Sequence, residues 1–261
     1  MERSGPHYPI KVLDKTFNIL DVLLEHGSSI HITEISKKLG LYPSTIHRIL
    51  DTLKCRGYVE QDPKTQKYRL GLKLLELGMA KLHQIDLVKE AIPHLRELVQ
   101  KCNETVHLGV VERGEVLYLA KEESSQTIRM ISYIGKRAPL HCTALGKILL
   151  AYMSEEERKK ILEEKGLPRL TENTITNNQE LEKELEQVRK QGFALDREEN
   201  EKNVQCIAAP IRNYQGKVIA ALSISSPSFR INEDIQKKLK EELLKTSESL
   251  SKRLGYNFEL S

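Results

Sequence analysis

Gly40-Leu41-Tyr42-Pro43-Ser44-Thr45-Ile46-His47-Arg48-Ile49-Leu50 is the stretch whose reading decides the fold of the first third of the chain. Pro43 suits the first position of a helix, where its missing N–H would have no intrahelical partner anyway. Ile46, Ile49, Leu50 and Leu53 follow at i, i+3, i+4 and i+7, one apolar stripe of a helix over 43–54. At 100° per residue, Ser44, Arg48 and Asp51 point away from that stripe, with His47 and Thr52 on its flanks. Gly40 separates this helix from a shorter one over 32–39, which buries Ile32, Ile35 and Leu39. A helix over 12–26 comes first, with Leu13, Phe17, Leu20 and Leu24 as its predicted core stripe and Gly27 as its stop. Short helix, glycine turn and second helix with polar and basic residues outward is helix-turn-helix geometry.

Downstream, Gly57 breaks the helical pattern. Residues 58–61 and 67–70 read as two short strands around the turn Asp62-Pro63-Lys64-Thr65, a hairpin wing presenting Lys64, Lys67 and Arg69. The charge distribution agrees. The whole chain carries 41 Lys+Arg, 37 Asp+Glu and a net charge of only +4. Residues 1–85 hold 13 of the basic and 9 of the acidic residues, so the entire excess lies there. A basic module joined to a neutral one predicts a polyanion-binding part and a second part with another task.

This set of motifs, continued by Tyr58-Val59-Glu60 and Tyr68-Arg69-Leu70-Gly71, resembles the winged helix-turn-helix of the IclR family of bacterial transcriptional regulators. Two positions depart from the family pattern. His31 and Tyr42 stand where small polar helix caps are usual, so neither helix is expected to start on a side-chain cap. The resemblance implies double-stranded operator DNA as partner, with helix 43–54 in a major groove. The residues expected at base edges and phosphates are Tyr42, Ser44, Thr45, His47, Arg48 and Lys54, with Lys64, Lys67 and Arg69 adding salt-dependent affinity.

Residues 71–85 carry Leu72, Leu75, Met79 and Leu82, with Leu74, Leu77 and Ile85 as a second apolar flank. A helix apolar over so wide an arc needs two neighbours. In the family it resembles, this segment links the domains and helps pair subunits. Because one module grips few base pairs, a homodimer or a dimer of dimers on a palindromic operator is expected.

From 86 onward the pattern is mixed. Helices are predicted at 86–102, 142–152, 154–164, 178–191 and 232–254. Strands are predicted at 105–111, 115–120, 128–134, 193–196, 206–211 and 218–225. This is an α+β layout, antiparallel strands with flanking helices. The resemblance extends over this part through Pro139-Leu140-His141-Cys142-Thr143-Ala144-Leu145-Gly146-Lys147 and Cys206-Ile207-Ala208-Ala209-Pro210-Ile211, and implies a GAF-like effector-binding domain. The domain assignment is thus 1–70 winged helix-turn-helix, 71–85 linker and dimerisation helix, 86–261 effector domain.

Candidate chemistry in that domain is binding. Residues 143–146 fall at a loop-to-helix junction, where free N–H groups favour an anion. Val218, Ala220, Leu222 and Ile224 share the core face of the last strand, leaving Ser223 and Ser225 with Ala221 on the other. Cys206 and Ala208 likewise share a face opposite Ile207 and Ile211, and Asp196 adds an acceptor for a hydroxyl. Small residues with a few polar groups describe a pocket for a small polar ligand. By resemblance, Ala144, Leu145, Asp196, Cys206, Ser223 and Ser225 match effector-contacting positions. Gly146 joins them at the junction, and Met130 and Val204 are candidates for the apolar wall. The family similarity points to a small organic acid, such as a keto acid or sugar-acid derivative.

No enzyme is expected. There is no P-loop, GxSxG or HExxH, and the adjacent His141 and Cys142 have no orienting third group. No cofactor is predicted, and zinc on His141, Cys142 and Cys206 has no support from spacing. Four scattered cysteines form no CxxC pair, no apolar stretch reaches membrane-spanning length, and the start has no apolar export segment, so a cytoplasmic setting is expected. A second reading keeps the ligand sensor but gives the helix-turn-helix a protein partner in place of DNA.

Overall fold

The computed structural model describes residues 10–83, 86–128 and 132–257, and the side chains of all of these except 78, 79 and 81–83. The chain divides into two compact units, Met1–Gln84 and Ile85–Ser261.

In the first unit, helices α1 (Lys11–His26), α2 (Ile32–Leu39) and α3 (Pro43–Cys55) precede an antiparallel hairpin of β1 (Val59–Gln61) and β2 (Tyr68–Leu70). Helix α4 (Lys73–His83) closes the unit. Gly27 and Gly40 end α1 and α2 in the left-handed conformation, at φ 65° and 62°. As the two departures from the family pattern imply, neither His31 nor Tyr42 caps its helix with a side-chain hydrogen bond. The α3 stripe Ile46, Ile49, Leu50 and Leu53 is buried as predicted, against Ile35, Ile30, Val59 and Tyr68.

The predicted α1 stripe holds only at Leu20, which is partly buried against the core. Leu13, Phe17 and Leu24 are 49%, 60% and 57% exposed, whereas Ile19, Val22 and Leu23 fill the core. The helix carries two apolar faces, and the less regular one is what α2, α3 and the hairpin cover. The open face is continued by Ile10 and Val12, and Leu72, Leu75 and Leu77 at α4 are exposed too. Ile85 lies outside the described residues, and the side chains of Met79 and Leu82 lie outside the described ones.

The second unit is a six-stranded antiparallel sheet. In chain order its strands are β3 (Thr105–Glu112), β4 (Glu115–Glu122), β5 (Arg137–Ala138), β6 (Ala194–Arg197), β7 (Val204–Arg212) and β8 (Val218–Pro227). Their spatial order is β5-β4-β3-β8-β7-β6. Helices α5 (Leu87–Cys102) and α9 (Glu233–Arg253) cover one face, meeting Val106, Leu108, Ile207, Ile211, Leu222 and Ile224. Helices α6 (Ala144–Tyr152) and α8 (Asn178–Gln191) cover the other, meeting Tyr118, Ala194, Ala208 and Ala221, with α7 (Glu155–Lys165) beside them. The small residues on this second face let α6 approach the strands closely.

Two strand expectations change. Ile128 and 132–134 are not strand, and Ile128, Tyr133 and Ile134 are 60%, 66% and 63% exposed. Residues 129–131 lie outside the described residues; among the described ones, pairing with β4 follows Gly135, whose φ of 87° turns the chain so that its N–H meets the Tyr118 carbonyl. Val218 was expected beside Ala220 but packs on the α6 side. The β7–β8 register steps from Ile211↔Ala220 to Arg212↔Val218, and this bulge reverses the alternation before Ala220.

Candidate nucleic-acid interface and ligand cavity

The α3 residues opposite the core stripe stand clear of the fold. Tyr42 is 82% exposed, and Ser44, His47 and Arg48 are exposed with it, while Thr45 is half-buried. Thr45 and Arg48 also edge a groove shared with Val12, Leu13 and Thr16 of α1.

The wing turn is locally built. The Asp62 carboxylate accepts N–H groups from Lys64 (2.9 Å) and Thr65 (2.8 Å), an Asx-type turn that holds the Asp62 carboxyl below its ordinary value. The basic residues near it differ in availability. Arg69 faces Glu60 across the hairpin at 2.8 Å, and Lys54 lies 3.5 Å from Asp51 and 3.4 Å from the Gln61 amide oxygen. Lys64 and Lys67 have no ion pair among the described residues. Of the predicted cations, Lys54 and Arg69 thus already have acidic partners.

In the second unit, one small cavity of about 10 Å³ lies between the start of α6 and the strands β4, β6, β7 and β8. Seven residues expected there line it: Ala144, Leu145, Asp196, Val204, Cys206, Ser223 and Ser225. Cross-strand pairing explains the convergence, because Asp196 faces Cys206 and Cys206 faces Ser225 in register. Thr143 caps α6, its hydroxyl accepting from Gly146 N at 3.1 Å and donating to Pro139 O at 2.7 Å. The first-turn N–H groups of Ala144 and Leu145 have no intrahelical partner, and none among the described residues takes them. Both residues line the cavity.

Gly146 does not line it. A Cβ there would meet the Leu140 carbonyl oxygen at 2.1 Å, so this glycine lets the α6 start pack on the 139–143 segment. Met130 lies outside the described residues. Thr143, of the expected anion-favouring junction, lines it too, and two lining residues were not anticipated as ligand contacts, namely Tyr118 and Asn200. The alternation of the 115–120 strand would have found Tyr118. Asn200, in an irregular loop, carries no such signal.

The wall of the cavity is polar but weakly charged. Asp196 is 3% exposed, and burial pushes its carboxyl up to about 7, with Glu199 adding to the shift. N–H groups of Glu199 (2.8 Å) and Asn200 (3.4 Å) donate to it and oppose that rise. Behind Ser225, His107 is fully buried, with Nδ1 3.4 Å from the Ser225 hydroxyl and Nε2 2.7 Å from Ser132. Burial drives His107 down to about 3, so it is neutral at physiological pH. Burial raises the Tyr118 phenol and the Cys206 thiol, which keeps both protonated.

These positions show no nucleophile at work. The Cys142 thiol is pushed up to about 12 by burial and approaches Asn200, while His141 turns to the Pro168 carbonyl at 3.1 Å. Among the described residues no group of three His, Cys, Asp or Glu is placed to hold a metal ion, and no helix is long and apolar enough to cross a membrane.

A winged helix-turn-helix followed by an α+β unit that encloses a polar cavity defines a DNA-binding transcriptional regulator. Residues 12–63 match the IclR helix-turn-helix domain and residues 79–252 the bacterial transcriptional regulator IclR C-terminal domain, and the chain belongs to the IclR family. It is 39% identical over 247 residues to the HTH-type transcriptional regulator XynR of Escherichia coli, covering 95% of this chain and 98% of that protein. To KdgR of Dickeya chrysanthemi it is 42% identical over 243 residues, 93% of this chain and 79% of that one. Among solved structures, Pseudomonas aeruginosa HmgR superposes with a TM-score of 0.84 at 26% identity, over 95% of this chain and all (100%) of that one. The Agrobacterium tumefaciens repressor BlcR does so with 0.82 at 29%, over 95% and 98%. The relatives are regulators, not enzymes, and the alternative of a helix-turn-helix devoted to protein contact is not favoured.

Proposed function

We propose that the chain acts in the cytoplasm as a homodimer, or a dimer of dimers, that reads operator DNA through α3 and the wing and responds to a small carboxylate held in the α6 cavity. The observation that carries the effector reading is the cavity itself. Two unpartnered N–H groups at a helix start, the hydroxyls of Ser223 and Ser225, and the Asp196 carboxyl converge on one space from separate elements. The amides and helix dipole suit a carboxylate, and the hydroxyls and Asp196 suit the keto or hydroxyl oxygens of an organic acid.

On the DNA side, Ser44, Thr45, His47 and Arg48 supply base-edge and phosphate contacts, with Tyr42 beside them and Lys54, Lys64, Lys67 and Arg69 on the backbone. The open apolar faces of α1 and α4 support pairing with a second copy, since monomers rarely leave such surfaces bare. Effector and operator would then be coupled by typically about 1–3 kcal/mol through the dimer's geometry. The domain division follows the same reading, with 1–70 on DNA, 71–85 joining and pairing, and 86–261 sensing.

A thermal-shift screen of small carboxylates on the full chain tests this reading, repeated on Ser223→Ala/Ser225→Ala. A carboxylate that stabilises the wild type and not the double variant is the expected result. One that stabilises both equally removes the cavity from the proposal.

A further inference from the structure

The side chains lining the α6 cavity bring hydroxyls, a thiol, an amide and one carboxyl, and no lysine, arginine or histidine. The cation behind this wall is already engaged. Lys147 is fully buried, with its ammonium 2.7 Å from Glu199 and 3.1 Å from Glu184, so one positive charge serves two carboxylates. His107, behind Ser225, is neutral. The groups facing Asp196 are Glu199 from its own loop, Lys147 from α6 with Glu184 of α8 beyond it, Cys206 from β7, Tyr118 from β4 and Cys142 ahead of α6. None is an unengaged cation.

A ligand carboxylate entering here therefore meets a second carboxyl in a small, largely desolvated space. Like charges in such a space do not both ionise, and one proton is retained by the pair. We infer that a carboxylate ligand binds this chain together with one proton from solvent, held between the ligand and Asp196. This inference rests on the carboxylate reading given above. The high pKa of Asp196 in the free chain lowers the cost of that proton near neutrality. It also makes Asp196 a donor to the ligand's oxygen, where an ionised carboxylate only accepts.

The test is calorimetric titration of the full chain with pyruvate and with gluconate, in two buffers of different ionisation enthalpy. Roughly one proton should be taken up per ligand bound at about pH 8, with affinity falling about tenfold per unit above the Asp196 midpoint. In Asp196→Asn, whose amide donates like the protonated acid, proton uptake and the pH slope should vanish. Carboxyl-carbon NMR of the wild type is a second readout, independent of that variant's folding: the Asp196 midpoint should rise on adding the ligand. Binding with no proton uptake and an unmoved Asp196 midpoint overturns the inference and leaves the carboxylate reading standing. If neither acid binds while an uncharged amide of the same skeleton does, the carboxylate reading falls and this inference with it.

Discussion

The ammonium of Lys147 lies 2.7 Å from a carboxylate oxygen of Glu199, and the two side chains are only 0% and 5% exposed. This pair joins α6, whose first turn carries the amides of Ala144 and Leu145, to the loop after β6, whose Glu199 N–H donates to the Asp196 carboxyl at 2.8 Å. The loop is pinned from outside as well: Thr174 donates to the Glu199 carbonyl at 2.6 Å and Thr171 to that of Glu198 at 2.7 Å. The second oxygen of Glu199 has no partner among the described residues, which leaves Lys147 as its neutralising group.

Lys147→Met should therefore destabilise the second unit by about 3–5 kcal/mol, because it strands a buried carboxylate. Adding Glu199→Gln should restore part of the loss, since the double variant no longer buries an unpaired charge. Urea unfolding of the single and double variants measures both. Equal stability of Lys147→Met and wild type would show that the pair contributes nothing net.

On the DNA side, the ion pairs rank the cations. Arg48→Ala should weaken specific operator binding by roughly 1–3 kcal/mol. Lys64→Ala and Lys67→Ala should each reduce the slope of log affinity against log salt by about one while sparing sequence preference. Arg69→Ala should change that slope less, because Glu60 already holds the guanidinium at 2.8 Å. Fluorescence anisotropy over a salt series decides the ranking.

The α3 stripe was legible because one face alone is apolar. On α1 two apolar faces compete, and nothing local says that Ile19, Val22 and Leu23 meet the core while Phe17 stays open. The cavity was largely legible because strand alternation puts Ser223, Ser225 and Cys206 on one face. Lys147 was not, since a lysine in a helix reads as solvated until its partners, 37 and 52 residues away, are brought to it. The 128–134 stretch alternates like a strand, yet its described residues, Ile128 and 132–134, are not strand, and the described pairing with β4 follows the turn at Gly135.

The open α1 face gives a prediction about assembly. Phe17→Asp should leave the monomer fold near its wild-type stability, because Phe17 is 60% exposed and contributes little to the core. It should instead shift sedimentation toward the monomer and make operator binding more dependent on protein concentration. A variant that unfolds with no change in association would assign Phe17 to the core after all.

Gly146→Ala should be far costlier than its size suggests. The added Cβ would sit 2.1 Å from the Leu140 carbonyl oxygen and 2.4 Å from its Cα, so backbone must move. Overpacking of this kind costs typically about 1–3 kcal/mol or more. The Thr143 cap on the same amide would be disturbed with it, so loss of carboxylate-induced stabilisation should accompany the fall in melting temperature.

Asp196 sets a pH dependence whose sign follows from its burial. Its folded pKa, about 7, lies above the ordinary carboxylate value near 3.9, so the folded chain binds more protons than the unfolded one between these limits. The stability tied to this group is therefore fully present below about pH 4, declines as pH rises through about 7, and is flat above. The span corresponds to at most about 4 kcal/mol at 1.36 kcal/mol per pKa unit. Asp196→Asn removes the titration. The difference in unfolding free energy between wild type and variant should move in the variant's favour from about pH 5 to about pH 8. A difference that stays constant over that range would mean that Asp196 ionises near its ordinary pKa and that the cavity wall is better hydrated than its packing indicates.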